Sequence, residues 1–480
     1  MPSAKPTLGP YLVIIAGLAA EACAQPCTPR WDPAFIGNNP DHGVHALAAI
    51  PTPAAPVLYV GGKFQAIGGV PFSLVAAYSG TAWAPLGTGI PFSFNSHGFM
   101  GCCAHVKSFA ASVSGAEPGV FIAGDFVQID STLFESVGRF SAGAWTPLAG
   151  GMALAGCVDC ALRVNSLQPF GGMMHAAGGF THAGGVAAAN AARWTGSAWE
   201  PLGTGLGASP TDEQDTWVEA LTVYTESGVP RLFAAGRFSR AGSVITNCVA
   251  RWDGAAWTDV GGGVGFDPQG PVPVVKAMAV LDEAGGPALY IAGSFDAVGG
   301  VPARNIARWN GAQWSALGTG VGTGPNDQVF ALAAFDDGRG PALYAAGVFE
   351  QAGGIAASNI ARWSGSAWEP LGAGTDGEVQ ALAAYEHLGQ RFLYVGGFYA
   401  TAGGLATPNL ARWAACAPDC YPNCDGSTQA PVLNVSDFGC FLTRYAAGEP
   451  YANCDGSTQP PVLNVQDFGC FLTRYAAGCP

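Results

Sequence analysis

The sequence predicts an all-β fold, a seven-bladed β-propeller, followed by a small C-terminal module of a different kind. A short apolar strand that ends in small residues and an aromatic occurs seven times, from LYVGGKF to LYVGGFY. Each copy follows a run such as VHALAA and precedes strands such as NIARW and AWEPLG, so each repeat unit has four short strands. Four-stranded units repeated in this way are typical of propeller blades packed around a channel.

Residues 1–24 are predicted to be a signal peptide. One lysine precedes an apolar run from Tyr11 to Ala20, and small residues flank the expected cleavage site before Gln25. This order of features is typical of export signals, and the apolar run is too short for a membrane span. A lipidated Cys23 is the alternative. We therefore expect an extracellular or cell-surface protein whose mature chain has no integral membrane segment.

Composition limits the class of protein further. The 480 residues carry a formal net charge of −14, and 49% are hydrophobic against 11% charged. This balance excludes a disordered chain and predicts a sizeable core. The 70 glycines and 35 prolines suit many short strands joined by tight turns. The thinly spread negative charge argues against nucleic acid as a partner, because phosphate binding needs clustered cations.

The propeller is expected to span residues 25–415 and to close through its N-terminus. The seventh unit stops at NLARW and lacks a fourth strand. The segment around Trp31 reads like the missing strand, so we expect the N-terminal strand to complete the last blade. Cys27 and Cys416 flank that seam and are candidates for a disulfide across it.

The repeated tryptophans and arginines are expected to be structural. Twelve of the 13 Trp fall at repeat positions, where flat side chains fill the outer space between blades. The recurrent arginines, such as Arg308 and Arg412, are expected to lie against those rings or to bond turn carbonyls. A catalytic group would not be copied six times. The double glycine of the second strand and the paired aromatics resemble kelch-type propeller repeats in architecture.

Function is expected where the repetition breaks, in the loops before the first strands of units two to four. The fourth-unit loop holds Trp217, the one Trp outside the repeat, beside Asp212, Glu213 and Asp215. A flat apolar face with polar acceptors at its edge is typical of a sugar-binding platform. The alternative is that such loop aromatics cap the blades. The second-unit loop offers further ligand-binding candidates, Phe92, Phe94 and Phe99.

One position in each first strand varies while its neighbours repeat. It lies just before the small residues of the strand. Its residues are expected to line the mouth of the channel, where they would form either a mixed-charge site or a ring that holds water. In chain order its residues are His45, Lys107, Asn165, Glu219, Lys276, Phe330 and Gln380.

The leading interpretation is a non-enzymatic propeller that binds a protein or carbohydrate ligand. No Ser/His/Asp arrangement or closed metal motif is apparent, and acid catalysis on glycosides would need two carboxylates at a fixed separation. Asp212, Glu213, Asp215 and Glu219 are the candidates for such a pair. A secreted carbohydrate-active hydrolase or lyase and a structural cell-surface component are the two alternatives.

Residues 416–480 contain a cysteine-rich tandem duplication, NCDGSTQAPVLNVSDFGCFLTRYAAG followed by NCDGSTQPPVLNVQDFGCFLTRYAAG. Oxygen side chains at alternate positions, a glycine, and an acid at the start of a short helix have the logic of a calcium loop. Disulfides would staple a module with a small core. Equal spacing favours pairing Cys424 with Cys440 and Cys454 with Cys470, and Cys420 with Cys479 could join the ends of the module.

This duplication resembles that of dockerins, and more closely the GC-type dockerin-like tail of many exported bacterial proteins. The resemblance implies docking to a surface or scaffold protein, with calcium as the cofactor. A module held by its disulfides without metal is the alternative. The implied calcium ligands are Asn423, Asp425, Asn434 and Asp437 in the first copy and Asn453, Asp455, Asn464 and Asp467 in the second.

Overall fold

The computed structural model describes residues 29–52, 55–90, 104–111, 119–129, 132–154, 162–207, 216–265, 272–387, 390–415, 435–446, 468–469 and 471–472. In this part of the chain the fold is all-β and propeller-like, built from many small antiparallel sheets. The predicted all-β class is therefore confirmed. One compact unit is Pro29–Ala415, and the helix of the C-terminal segment belongs to another.

Among the described residues, seven sheets have four antiparallel strands each, and they are numbered 1 to 7 by their first strands. The strands follow one another across each sheet from the first at one edge to the fourth at the other. The first strands are Val44–Ile50, His105–Ala111, Arg163–Phe170, Trp217–Glu226, Val274–Glu283, Gln328–Asp336 and Glu378–His387. The second strands are Val57–Gly62, Val120–Asp125, Met173–Gly179, Val229–Arg237, Gly286–Ser294, Pro341–Val348 and Gln390–Phe398.

The third and fourth strands are shorter. The third strands are Val75–Tyr78, Val137–Ser141, Ala191–Trp194, Val249–Trp252, Ile306–Trp309, Ile360–Trp363 and Leu410–Ala414. The fourth strands of sheets 1 to 6 are Trp83–Pro85, Ala144–Pro147, Trp199–Pro201, Trp257–Asp259, Trp314–Ala316 and Trp368–Pro370. The fourth strand of sheet 7 is Arg30–Trp31, from the N-terminal end of the described chain.

A two-strand hairpin interrupts each connection between second and third strands, where the sequence predicts only a turn. The hairpins are Ala66–Ile67 with Val70–Pro71, Gln128–Ile129 with Thr132–Leu133, His182–Ala183 with Val186–Ala187, Arg240–Ala241 with Val244–Ile245, Ala297–Val298 with Val301–Pro302, Gln351–Ala352 with Ile355–Ala356, and Thr401–Ala402 with Leu405–Ala406. Short strands Met152–Ala153 and Leu206–Gly207 add to two of them, and a 3-10 turn covers Pro33–Phe35.

Burial along the strands explains their residue types. In the first strand of sheet 6, Gln328–Asp336, buried and partly exposed residues alternate, as expected for a strand with one face on a core. The second strand, Pro341–Val348, is buried along most of its length because it lies inside the sheet and is covered on both faces. An unbroken apolar run is the sequence form of such a strand.

The hydrophobic core consists of clusters that each join two consecutive sheets. Phe233 of sheet 4 belongs to one cluster with Leu289 of sheet 5. Another cluster joins the last sheet to the first, with Tyr394 of sheet 7 beside Val60 of sheet 1. The first strand of each sheet contacts the first strand of the next, and that of sheet 7 contacts that of sheet 1.

The repeated tryptophans tie each of sheets 2 to 7 to its predecessor, whereas the indole nitrogen of Trp83 in sheet 1 makes no hydrogen bond to the described residues. Trp314, at the start of the fourth strand of sheet 5, is buried and donates its indole N–H to the carbonyl of Val260, after the fourth strand of sheet 4, at 3.0 Å. These side chains therefore combine apolar burial with a buried hydrogen bond. The same bond joins Trp145 to Leu86 (3.1 Å), Trp199 to Leu148 (3.0 Å), Trp257 to Leu202 (2.9 Å), Trp368 to Leu317 (3.0 Å) and Trp31 to Leu371 (2.9 Å).

The recurrent arginines mainly bond carboxylates, which differs from the expected ring and carbonyl contacts. Arg308 donates to Glu283 at 2.9 and 2.5 Å, and Arg412 donates to Asp32 at 2.6 Å. Arg412 also lies 4.1 Å from the ring centroid of Phe392, so the aromatic contact occurs beside the ion pair. A guanidinium group removed from water needs an anionic partner, which the end of the first strand supplies in sheet 5.

An asparagine with left-handed backbone follows the hairpin in several sheets. Asn305 has φ of 59°, accepts the Phe295 N–H at 3.0 Å and donates to the carbonyl of Val321 at 3.0 Å. The residue at this position in sheet 4 is Cys248, with φ of 63° and a buried, free thiol whose pKa burial raises to about 11. Asparagine tolerates positive φ better than cysteine does.

Cys248→Asn is therefore expected to stabilise the protein by about 1 kcal/mol, because it relieves backbone strain and adds amide hydrogen bonds. Cys248 Sγ already lies 3.5 Å from the carbonyl of Pro273, which gives the new amide an acceptor. Thermal melting of the variant beside the reverse change, Asn305→Cys, measures the effect. A melting temperature below that of the parent for Cys248→Asn would contradict the assignment.

The C-terminal unit contains helix α1, Val435–Ala446. Phe441 of this helix is buried and stacks on Phe471 of the second sequence copy, with centroids 4.0 Å apart and an interplanar angle of 12°. The two copies thus pack through equivalent aromatic residues. None of the helices in the described residues is long and apolar enough to cross a membrane.

Candidate functional site

Each of the seven first strands has a β-bulge near its start, and the variable residue of the sequence repeat is the extra residue. The pairing of sheet 6, for example, shifts register between Val329 and Ala331, which leaves Phe330 unpaired. A bulge bends the strand and re-aims one side chain. The seven residues, called here the bulge cluster, are His45, Lys107, Asn165, Glu219, Lys276, Phe330 and Gln380.

The recurrent glycine of the second strand is a consequence of these bulges. A Cβ at Gly347 would overlap the carbonyl oxygen of Gln328, two residues before the bulge, so only glycine fits there. The same overlap with a first-strand carbonyl, or with Gly43 in sheet 1, occurs at Gly62, Gly124, Gly178, Gly236, Gly293 and Gly397. The repeated glycine therefore maintains the backbone that presents the variable residue.

Side chains of the bulge cluster contact one another between neighbouring sheets. Lys107 Nζ donates to Asn165 Oδ1 at 3.0 Å, and the Asn165 amide donates to the carbonyl of Val218 at 2.8 Å. Lys276 Nζ lies 3.7 Å from Glu219 Oε1 and 5.4 Å from the ring centroid of Phe330. Hydrogen bonds and an ion pair thus fix the orientation of these groups across sheets 2 to 6.

Trp217 lies beside this cluster at the start of the first strand of sheet 4. Its indole N–H donates to Glu219 Oε1 at 2.8 Å. The guanidinium carbons of Arg163 and Arg237 lie 5.2 and 5.1 Å from its ring centroid. The predicted platform residue is therefore half-buried with at least one face in contact with a cation, which leaves less open ring than a bare sugar platform has.

His45 of the bulge cluster, in sheet 1, pairs with His105 of sheet 2. The ring centroid of His45 lies 4.8 Å from that of His105 and 4.9 Å from that of Phe398. His45 Nε2 is buried and makes no hydrogen bond to any described residue. Burial, together with the charges of His105, Lys63 and Lys107, lowers the pKa of His45 to about 2.

This shift predicts acid sensitivity. Unfolded His45 takes up a proton near its ordinary pKa of 6.5, whereas the folded protein resists protonation down to about pH 2. Stability from this group is complete above pH 6.5 and falls as pH decreases below it. Relative to His45→Gln, the parent is expected to lose on the order of 1 to 2 kcal/mol between pH 6.5 and about pH 4.5. Urea unfolding at both pH values measures the difference, with a substitution of the exposed His42, His42→Gln, as control. The same change in unfolding free energy between the two pH values for the parent and for His45→Gln would refute the prediction.

Most predicted ligand and disulfide residues lie outside the described residues. These include the predicted loop residues Asp212, Glu213, Asp215, Phe92, Phe94 and Phe99, the calcium ligands other than Asp437, and the cysteines Cys27, Cys416, Cys420, Cys424, Cys454, Cys470 and Cys479. Three of the predicted ligand-binding, calcium and disulfide residues are described: Trp217, as above; Asp437, which is fully buried in the first turn of α1; and Cys440, which is disulfide-bonded.

Sequence reasoning missed the residues that flank the bulges. Two positions before a bulge residue, the chain places Arg163, and directly after the recurrent glycine it places Lys63, Asp125 and Arg237. All vary between otherwise repeated units, and that variation was the signal that could have found them. Neither that variation nor the spacing of the repeat reveals which of them meet across sheets.

Two clefts lie outside the bulge cluster, the first away from it and the second beside it. One of about 620 Å³ lies at the far end of the first strand of sheet 5, where Glu283, Tyr290 and Arg308 bond one another. The other, of about 570 Å³, includes Asp327 and Asp376, whose carboxylates accept loop N–H groups. Because these charged groups already hold the fold together, both clefts are less suited to a ligand. No cluster of three metal-ligating side chains occurs among the described residues.

Comparison with known proteins adds no functional assignment. No family model and no curated protein matches the chain. A solved chain from the mitotic checkpoint complex aligns over 84% of this chain and 98% of its own length, with 13% identity and a TM-score of 0.41. The extracellular domain of BT4673 from B. thetaiotaomicron aligns over 81% of this chain and 40% of its own, with 8% identity and a TM-score of 0.42. Likeness at this level bears on neither ligand nor activity.

Proposed function

We propose that the seven sheets are the blades of a closed seven-bladed β-propeller, with the bulge cluster at the mouth of its central channel. Support comes from the contacts between successive first strands, which include sheet 7 with sheet 1. The N-terminal strand pairs Trp31 with Trp413, as Trp368 pairs with Trp363 within sheet 6. On this proposal the repeated residues build the ring and the varied residues carry its function.

The function we propose is non-enzymatic binding of a carbohydrate ligand at this mouth by an exported protein. The observation that carries the proposal is the convergence of Trp217, Phe330 and the charged groups Glu219 and Lys276 at the positions where the copied strands vary. Apolar rings with a few convergent polar groups suit sugars, which present both C–H faces and hydroxyls. A protein ligand is the other outcome of the test.

Retention on immobilised polysaccharides tests the proposal. Trp217→Ala is expected to weaken retention by about tenfold, since a contact at a binding centre is worth about 1.4 kcal/mol or more. Val229→Ala is the matched control, because Val229 is exposed and pairs with Glu226 at the opposite end of the same first strand. Equal retention of both variants, or retention of neither the parent nor the variants, would contradict carbohydrate binding at the mouth.

An enzyme and a structural surface component give different results in the same assays. A hydrolase or lyase would release sugar from the retained polysaccharide and lose that turnover when Glu219, Asp212, Glu213 or Asp215 is neutralised. A structural component would show neither retention nor turnover. We expect retention without turnover.

For the C-terminal unit we propose attachment to a surface or scaffold protein through a dockerin-like, calcium-binding module. The buried carboxylate of Asp437, the disulfide at Cys440 and the packing of Phe441 on Phe471 are compatible with two equivalent loop–helix copies. Carboxylate and amide oxygens are the donors that calcium prefers, so the predicted ligand set suits this ion.

Calorimetric titration of the oxidised full chain with calcium tests whether the C-terminal module binds this ion. Two ions and a higher melting temperature are expected, because a ligand that binds only the folded state stabilises it. Asp437→Asn and Asp467→Asn are each expected to remove one ion. Absence of heat and of any thermal shift would leave a module held by its disulfides alone.

A further inference from the structure

The lysines of this chain are confined to two places. The sequence has four: Lys5, in the predicted signal peptide, and Lys63, Lys107 and Lys276. Lys107 and Lys276 are bulge-cluster residues, and Lys63 directly follows the recurrent glycine of sheet 1, close enough for its charge to lower the pKa of His45. Every lysine in the described residues therefore lies at the bulge cluster or directly beside it.

Arginine supplies the structural cations instead. Arg308 and Arg412 form their ion pairs with carboxylates of the repeat. Arginine suits such fixed, two-pronged pairs, whereas lysine presents a compact charge with three donors on a flexible stem. The repeated ion pairs thus use arginine and no lysine, which indicates that the lysines do something other than hold the sheets together.

The surroundings of Lys107 disfavour its charged form. Burial is the main cause that lowers its pKa, the charges of Arg163 and Lys276 lower it further, and the charges of Glu219 and Asp125 oppose the shift. Its hydrogen bond to Asn165 Oδ1 and the bond from Asn165 to Val218 fix the ammonium group in place. A cation that is partly removed from water beside other cations is stabilised when an anion binds.

The described residues around the cluster carry a cationic excess in an acidic protein. At the bulges, two residues before them and directly after the recurrent glycines, the cations are Lys63, Lys107, Arg163, Arg237 and Lys276, and the carboxylates are Asp125, Glu219 and Glu378. The whole chain has a formal net charge of −14. An acidic protein with its lysines gathered at one place attracts an anionic ligand to that place.

We propose that Lys63, Lys107 and Lys276 bind the oxyanions of an acidic polysaccharide, carboxylated or sulfated. This inference rests on the proposed carbohydrate function and names the class of glycan. Lys276, with 26% of its side chain exposed, reaches the ligand from beside Glu219, while Lys107 neutralises a second acidic group deeper in the mouth.

Binding of polygalacturonate, dextran sulfate and neutral dextran to the full chain tests the proposal and distinguishes carboxylate from sulfate. The affinity for one acidic polymer is expected to fall at least tenfold between low salt and about 0.15 M salt, because the contact is ionic. Lys276→Met is expected to weaken binding about tenfold. Arg304→Met is the control, since Arg304 is an exposed cation that is not a bulge residue and pairs with Asp296 at 3.6 Å.

Amine labelling of the unmodified protein gives a second readout that needs no variant. The acidic polymer is expected to protect Lys63 and Lys276 from acetylation, and mass spectrometry locates each site. Full reactivity of the lysines while the acidic polymer is bound would overturn the proposal. Preference for neutral dextran, with no effect of salt or of Lys276→Met, would overturn it while the carbohydrate function stands. Binding to none of the three polymers would count against both.

Discussion

Gly347→Ala is expected to destabilise the protein by about 3 kcal/mol, since the added methyl group has no room to move into. It would overlap the carbonyl oxygen of Gln328, and a backbone atom cannot swing aside as a flexible side chain can. Relief requires the bulge at Phe330 to flatten, which would also turn that side chain away from its present position.

Gly207→Ala is the matched control, because Gly207 is also in a strand and a Cβ there would meet nothing within 4 Å. Guanidinium chloride unfolding of both variants measures the difference in unfolding free energy. If the two variants have the same midpoint, the recurrent glycine does not serve the bulge, and the explanation of the repeat given above fails.

Trp31→Ala is expected to cost about 3 to 5 kcal/mol, the range for removing a large buried aromatic. The substitution removes the indole bond to Leu371, its edge contact with Trp413 at 5.5 Å, and packing against Gly403. The loss falls at the pairing of the N-terminal strand with sheet 7, where strands from the two ends of the unit Pro29–Ala415 meet.

Arg30→Ala controls for the strand itself, because Arg30 lies on the same two-residue strand and is exposed. Its effect is expected to stay within about 0.5 kcal/mol. Thermal melting of the full chain, with intact disulfides, compares the two. A similar small change for both variants would mean that the N-terminal strand adds little to the stability of sheet 7.

The all-β class and the four-stranded repeat could be predicted from the sequence because their signals are local and repeated. The alternation in VQALAAYEH and the apolar run in RFLYVGGF are sufficient to predict a half-buried and a fully buried strand. The pairing of Trp31 with Trp413 followed from the missing fourth strand of the seventh unit. The small hairpins, such as His182–Ala183 with Val186–Ala187, were not predicted, because two-residue strands leave no period to detect.

The contacts of individual side chains could not be predicted, because their partners are far away in the sequence. The carboxylate that bonds Arg308 lies at the end of an earlier strand, and the two guanidinium groups beside Trp217 come from sheets 3 and 4. The sequence marked the varied position that holds Glu219. It contained no sign that a bulge creates this position or that Lys276 would lie beside it.

Hydrogen–deuterium exchange of the full chain, with and without the polysaccharide it binds best, tests most directly whether the varied positions carry the function. Ligand is expected to slow exchange in peptides that contain the bulges of sheets 2, 4 and 5, around Lys107, Glu219 and Lys276. The same peptides should lose that protection in Lys276→Met. Protection confined to peptides of the cleft around Glu283 and Arg308, at the far end of the first strand of sheet 5, would contradict the account, because it would place the ligand on residues that we assign to holding the sheets together.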